Sequence, residues 1–256
     1  MKKLFYSAAI MALAFFAGSC QQENLEPVGG NTVTYTVQVP DALATKAVGE
    51  DVTAVTELIY EVYRTEAQSA EDHSQFETKL YQKTATLTAG VARVELELVN
   101  NQNFRVLFWA QVPENGVYNT ADLKNVKLAQ SLDANAEKYN AFAGADYIKS
   151  GDNLVGRTIT LVRPIAQLNI ATTPESLKLG EDANGVAQTT ITVKTSTVTV
   201  DGLSTSYNVS EAKAGDDAVE FVYAAKPVNL SEGTINVDGN DYTYLAMNYV
   251  GFAGES

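Results

Sequence analysis

The chain has 256 residues, 45% of them hydrophobic and 19% charged, and a formal net charge of −13. That length suits one large or two ordinary domains with a substantial core. The acidic balance argues against nucleic acid as a partner, because phosphate binding relies on neutralisation by Lys and Arg, and it suits a soluble, exposed outer surface.

The first twenty residues fix the destination. Lys2 and Lys3 head an apolar run from Leu4 to Phe16, and Ala17, Gly18 and Ser19 lead into Cys20. A basic head, an apolar middle and a small-residue end make residues 1–20 a secretory signal peptide. The run is shorter than the roughly 20 apolar residues of a spanning helix. Losing the two lysines takes the formal charge from −13 to −15. Cys20 is the only cysteine, so no internal disulfide is available outside the cytoplasm and stability must come from packing. Ala17-Gly18-Ser19-Cys20 resembles a bacterial lipobox, in which Cys20 is lipidated and becomes the first mature residue. Ordinary cleavage beside an unmodified Cys20 is the other reading. Buried acyl chains contribute about 0.8 kcal/mol per CH₂, so more than one chain anchors a protein to a membrane that it does not cross.

Residues 21–31 are polar, with Pro27 and a Gly29-Gly30 pair, and read as a flexible tether. From Thr32 the pattern alternates. Val33, Tyr35, Val37 and Val39 oppose Thr32, Thr34, Thr36 and Gln38, which predicts a strand with one wet face. It is expected to be an outer strand covering one groove of a sandwich, and a displaceable one. Behind it, Asp41 to Asp51 is small and polar with Lys46 near its middle, a segment open to proteases. Loss of the strand would leave unpaired backbone and empty apolar pockets for a strand from another subunit.

Val52 to Tyr63 reads as a further strand. Leu80 to Thr88 and Val91 to Val99 flank Ala89-Gly90, a hairpin signal. In the second of these, Val94, Leu96 and Leu98 share a face opposite Arg93, Glu95 and Glu97. Phe104 to Val112 is apolar on both faces and predicts a central buried strand, with Trp109, the single Trp, in the core. Ser131 to Ala143 is the one candidate helix.

Between Thr158 and Ile170 the apolar parity changes from Ile159 and Leu161 to Ala166, Leu168 and Ile170, with Arg163-Pro164 at the change. Proline cannot donate to a ladder, so a bulge or a switch between sheets is expected there. A similar slip within Ile191 to Val200 predicts another. Val219, Phe221 and Tyr223 alternate, and Asp238-Gly239 between Thr234–Val237 and Tyr242–Val250 predicts a hairpin. About a dozen short strands with almost no helical periodicity make the chain all-β, of sandwich architecture.

The chemistry of catalysis is missing from the pattern. There is no nucleophile elbow, zinc-binding helix or Gly-rich phosphate loop. His73, the single histidine, sits in a polar loop without a second imidazole or thiolate to complete a zinc site. Glu95 and Glu97 occupy a wet strand face rather than a two-acid cleft. Asp216, Asp217, Asp238 and Asp241 lie in turns and lack the spacing of a calcium loop. Sequons at Asn208 and Asn229 carry little weight beside a bacterial lipobox. No enzyme activity, metal or cofactor is expected.

Six segments in order carry a resemblance: the lipobox at Cys20, an early strand followed by Ala44-Thr45-Lys46-Ala47, FRVLFWAQ, Asn140-Ala141-Phe142-Ala143-Gly144, LVRPIAQLNI, and Tyr244-Leu245-Ala246-Met247-Asn248-Tyr249. Together they resemble fimbrillin-like lipoproteins of Bacteroidota, the type V pilus subunit superfamily and its uncharacterised relatives. Glu23 and Glu26 resemble the acidic surface-export signals of such lipoproteins. The resemblance implies tandem transthyretin-like, Greek-key β-sandwich domains, here residues 32–173 and 174–256. It also implies proteolytic processing near the end of the first strand, where Lys46 stands in place of the family's usual Arg. The chain ends soon after a strong strand, so either the second domain is incomplete or polymerisation does not follow the family pattern.

The function expected is a surface structural lipoprotein of the outer membrane, a pilus subunit or adhesin assembling by strand exchange. Its partners would be other subunits or itself, with a host or bacterial surface ligand, and the membrane is met only through the lipid. The alternative is a monomeric glycan- or peptide-binding surface lipoprotein using exposed tyrosines.

Overall fold

The computed structural model describes residues 31–40, 52–129, 137–152, 156–173, 178–181, 184–190, 194–222, 226–227, 234–237 and 239–252. Its strands in chain order begin with β1 Asn31–Gln38, β2 Glu57–Thr65, β3 Glu77–Thr86, β4 Val91–Leu98 and β5 Asn103–Gln111. Next come β6 Tyr118–Asn119, β7 Val126–Leu128, β8 Ala141–Ile148, β9 Arg157–Thr160 and β10 Ile165–Thr172. The later strands are β11 Lys178–Glu181, β12 Ala187–Thr190, β13 Thr195–Ser196, β14 Thr199–Ser204 and β15 Ser206–Asn208. The last are β16 Lys213–Ala214, β17 Ala218–Val222, β18 Lys226–Pro227, β19 Thr234–Val237 and β20 Asn240–Phe252. The only helical pieces among the described residues are three 3-10 turns, so the fold is all-β.

Two sheets form the N-terminal sandwich, β4-β1-β9 and β3-β2-β5-β8. Between them lie Val33, Tyr35, Val37, Val94, Leu96 and Leu98 from one side and Leu58, Tyr60, Val62, Val106 and Phe108 from the other. The four-stranded sheet buries its second face as well. Ile59, Tyr63, Leu107 and Trp109 pack with Tyr118, Leu123, Tyr207 and Phe252. β2 and β5 are therefore apolar on both faces because both faces meet protein. Elsewhere β7 pairs with β15 within the sheet β16-β15-β7-β6, and β10 lies beside β20, which pairs with β14 and β19.

Several sequence expectations match. The alternation in β4 gives buried Ala92, Val94, Leu96 and Leu98 with exposed residues between them. β5 is buried from Phe104 to Gln111. The chain does change sheets at Arg163-Pro164, since β9 pairs with β1 and β10 with β20. Val237 and Asn240 pair across the turn, and Gly239 has φ 84°, a left-handed conformation that glycine adopts readily. In the slip after Ile191, residues 191–193 lie outside the described residues, while β13 pairs with β18 and β14 with β17 and β20.

Other expectations are corrected. β1 is not an outer strand but the middle of its sheet, antiparallel to β4 along all eight residues and parallel to β9. Alternation reports which face of a strand is wet and carries no information on its neighbours in the ladder. Nor do β3 and β4 pair as a hairpin. Thr88 and Val91 exchange backbone hydrogen bonds of 2.9 and 3.1 Å around the turn, and then β3 joins β2 while β4 joins β1. The turn crosses the sandwich because the apolar row of β4 belongs on the side of the core facing β2. The helix expected at Ser131–Ala143 is, where described, a 3-10 turn at Glu137–Tyr139 followed by β8. Tyr139, Asn140, Ala141 and Phe142 are consecutive buried positions that pairing with β5 accommodates better than a weak helical stripe. Beyond the change of sheet, Leu168 and Ile170 on the second apolar parity are 37% and 41% exposed.

Candidate functional site

The groove filled by β1 is the site that the sequence singles out. Val33, Tyr35 and Val37 have no exposed surface and Val39 is buried. Their pitch places every second side chain between the two sheets, while Thr34, Thr36 and Gln38 are half-buried on the other face. The backbone is held on both edges: pairs run from Asn31 with Leu98 to Gln38 with Val91, and from Tyr35 with Arg157 to Gln38 with Thr160. Val39 N donates to Gly90 O and Leu161 N to Gln38 O, each at 2.8 Å, closing the far end.

One polar contact interrupts this apolar row. The Tyr35 hydroxyl donates to Asp146 Oδ2 on β8 at 2.8 Å, and its ring lies 5.2 Å from that of Phe108 at 60°. Arg157 on β9 holds the same carboxylate, with Nε 2.6 Å from Oδ2 and Nη2 3.1 Å from Oδ1. Arg157 Nη2 also donates to Tyr147 O at 3.1 Å, and its Nη1 lies 3.7 Å from Asp152 Oδ2. Burial pushes the Tyr35 phenol far above its ordinary range, with the Asp146 charge and hydrogen bond adding to the effect. Tyr35 is therefore a neutral donor at any physiological pH. Asp146 and Arg157 escaped the sequence reading, because each is an ordinary charge until the fold brings β8, β9 and β1 together.

Cys20 and Lys46 lie outside the described residues. Trp109 is fully buried, and His73 is exposed with Nδ1 3.3 Å from Ser210 Oγ. Among the described residues, no group of three or more His, Cys, Asp or Glu is placed to hold a metal ion. A polar cleft of about 320 Å³ lies where β2 ends and β5 begins, lined by Arg64, Gln68, Phe76, Asn101 and Gln102 among others. Phe76 there is 72% exposed.

Comparison with known proteins gives a family match over residues 25–256, to a model described as Family of unknown function (DUF6562). No curated protein matches. Among solved structures, a candidate polysaccharide-binding protein (DUF1812) from Bacteroides thetaiotaomicron is similar at 13% identity and TM-score 0.47, covering 85% of this chain and 71% of that one. A candidate adhesin from Bacteroides ovatus is similar at 12% identity and TM-score 0.48, covering 89% and 71%. The fimbrial anchor protein Mfa2 from Porphyromonas gingivalis is similar at 10% identity and TM-score 0.43, covering 88% and 75%.

Proposed function

We propose, from the premise that this chain belongs to the DUF6562 family of unknown function, that it is a structural lipoprotein of the cell surface, a fimbrillin-like subunit or adhesin. In this reading Cys20 carries the lipid that anchors the protein to the outer membrane. Residues 32–173 are the domain that holds the groove, and residues 174–256 form the second domain. Cleavage after Lys46 separates β1 from the body, and a strand of another subunit, or of a second copy, replaces it. The observation that carries the reading is the place of β1 between β4 and β9 with its apolar row fully buried. Removing a central strand exposes two unpaired edges and one apolar slot at once, which an incoming strand fills by β-augmentation.

Limited trypsin digestion tests this. The first cut is expected after Lys46, leaving a large resistant core that oligomerises or takes up a peptide of residues 31–40, while Lys46→Ala stays monomeric. A cut protein that stays monomeric at full thermal stability rejects strand exchange. It would favour the second reading, a monomeric glycan- or peptide-binding lipoprotein, which the cleft beside the exposed Phe76 supports. Lipid attachment has its own check: a fatty-acid analogue should label the wild type, and Cys20→Ala should be released unlabelled.

A further inference from the structure

We infer that the groove selects its strand by a tyrosine: Asp146 and Arg157 form a fixed polar subsite that accepts an alternating apolar strand carrying a phenol at the position of Tyr35. The inference rests on the strand-exchange reading and adds to it the chemistry of the partner. Of the four inward side chains of β1 and the residue after it, Val33, Tyr35, Val37 and Val39, only Tyr35 carries a polar atom, and that atom is spent on Asp146 at 2.8 Å. The Asp146–Arg157 pair joins β8 to β9 across the two sheets, so neither member lies on β1 and neither is carried away with it.

Arg157 occupies both oxygens of Asp146 and is further held by Tyr147 O. The carboxylate is thereby aimed into the slot rather than free to turn away. A strand with Val or Leu at this position covers the carboxylate without a donor and leaves the aromatic gap beside Phe108 unfilled. A strand with Phe fills the gap and omits the donor. Only a phenol does both, because it spans the slot from β1 to the opposite sheet and ends in a hydroxyl. Lys or Arg carries a donor, but neither fills a ring-shaped space, and each sets a second cation beside Arg157, which already holds the carboxylate. Register follows from the same contact: a one-residue slip turns the apolar row out of the slot, and a two-residue slip puts a valine at the subsite.

The test uses the trypsin-cut full chain and two labelled peptides of residues 31–40, native and Tyr35→Phe, so the protein is unaltered in the first comparison. Hydrogen bonds to charged groups discriminate about tenfold to a hundredfold. The native peptide is expected to exchange into the groove, and the Tyr35→Phe peptide to bind at least tenfold more weakly. In Asp146→Ala the gap between the two peptides should close. Equal binding of both peptides to the unaltered protein overturns the tyrosine subsite and leaves strand exchange standing. Failure of the native peptide to enter overturns strand exchange, and the subsite with it.

Discussion

Glu77 shows how single residues hold this all-β body together. Its carboxylate receives Arg105 Nε at 2.8 Å and a close ion pair from Lys124, and Arg105, buried in β5, also donates to Ala70 O at 2.8 Å and Asp72 O at 3.0 Å. Burial works to raise the Glu77 carboxyl, but hydrogen bonds from Lys124 and Arg105 outweigh it and hold the group below its ordinary value. A carboxylate depressed in the folded state stabilises above its unfolded value, about 4.3, and that contribution fades as pH falls through the folded value. Glu77→Gln should therefore cost about 3 kcal/mol at neutral pH, with the difference shrinking below about pH 4 in denaturant titrations; a gap constant down to pH 2 would contradict the ion pair. Asp217 is held below its ordinary value by other means. Burial opposes its ionisation, but hydroxyls of Thr205, Ser206 and Ser204 donate to it and bring it to about 2. The sequence placed Asp217 in a turn and did not disclose this cage, which depends on β14, β15 and the start of β17 meeting. The burial of Arg105 was equally hidden, for an Arg within an apolar run identifies a partner only once the loop at 70–77 folds over it.

At the scale of elements, faces were legible and neighbours were not. The period-two rows of β1 and β4 and the double-faced apolar run of β5 are direct consequences of burial, so they stand in the sequence. Which strand pairs with which depends on contacts far apart in the chain, and there the expected β3-β4 hairpin and outer β1 gave way to a crossing turn and a central strand. Gly144 on β8 records one such contact. A Cβ at this position would lie 2.9 Å from Leu161 Cδ2 and 3.2 Å from Ile159 Cδ1, so the glycine lets β9 and the residue after it close over β8 at the edge of the groove. Gly144→Val should cost about 1–3 kcal/mol through overpacking, measured by chemical denaturation. Because the strain falls on the side chains of β9 and Leu161, the variant should also release β1 faster after the cut at Lys46. A neutral substitution would mean that β8 and β9 separate freely and that the groove has no fixed wall on that side.

In the whole molecule, adjacent residues of β5 serve different cores. Phe108 points between the two sheets with Tyr35, Val62 and Leu96. Trp109 points the other way, its ring 5.2 Å from Tyr118 and 6.3 Å from Phe252, and its indole N–H donates to Gln111 Oε1 at 3.0 Å. The second cluster draws Tyr207 and Phe252 from the C-terminal third of the chain, and Tyr207 and Phe252 are themselves 5.5 Å apart. β7 and β15 add backbone pairing between the same two regions. A sheet that supplies both cores ties their stabilities together, since neither cluster can lose its packing without stripping one face of β2 and β5. Phe108→Ala and Trp109→Ala should each cost about 3–5 kcal/mol, and both should lower a single calorimetric transition in which the groove-bearing region and residues 198–209 unfold together. Two transitions, with Trp109→Ala moving one and Phe108→Ala the other, would show that the shared sheet does not couple them. A Trp109→Ala cost below about 1 kcal/mol would contradict its place in the second core, because an indole with no exposed surface and two aromatic neighbours cannot be removed without leaving a cavity.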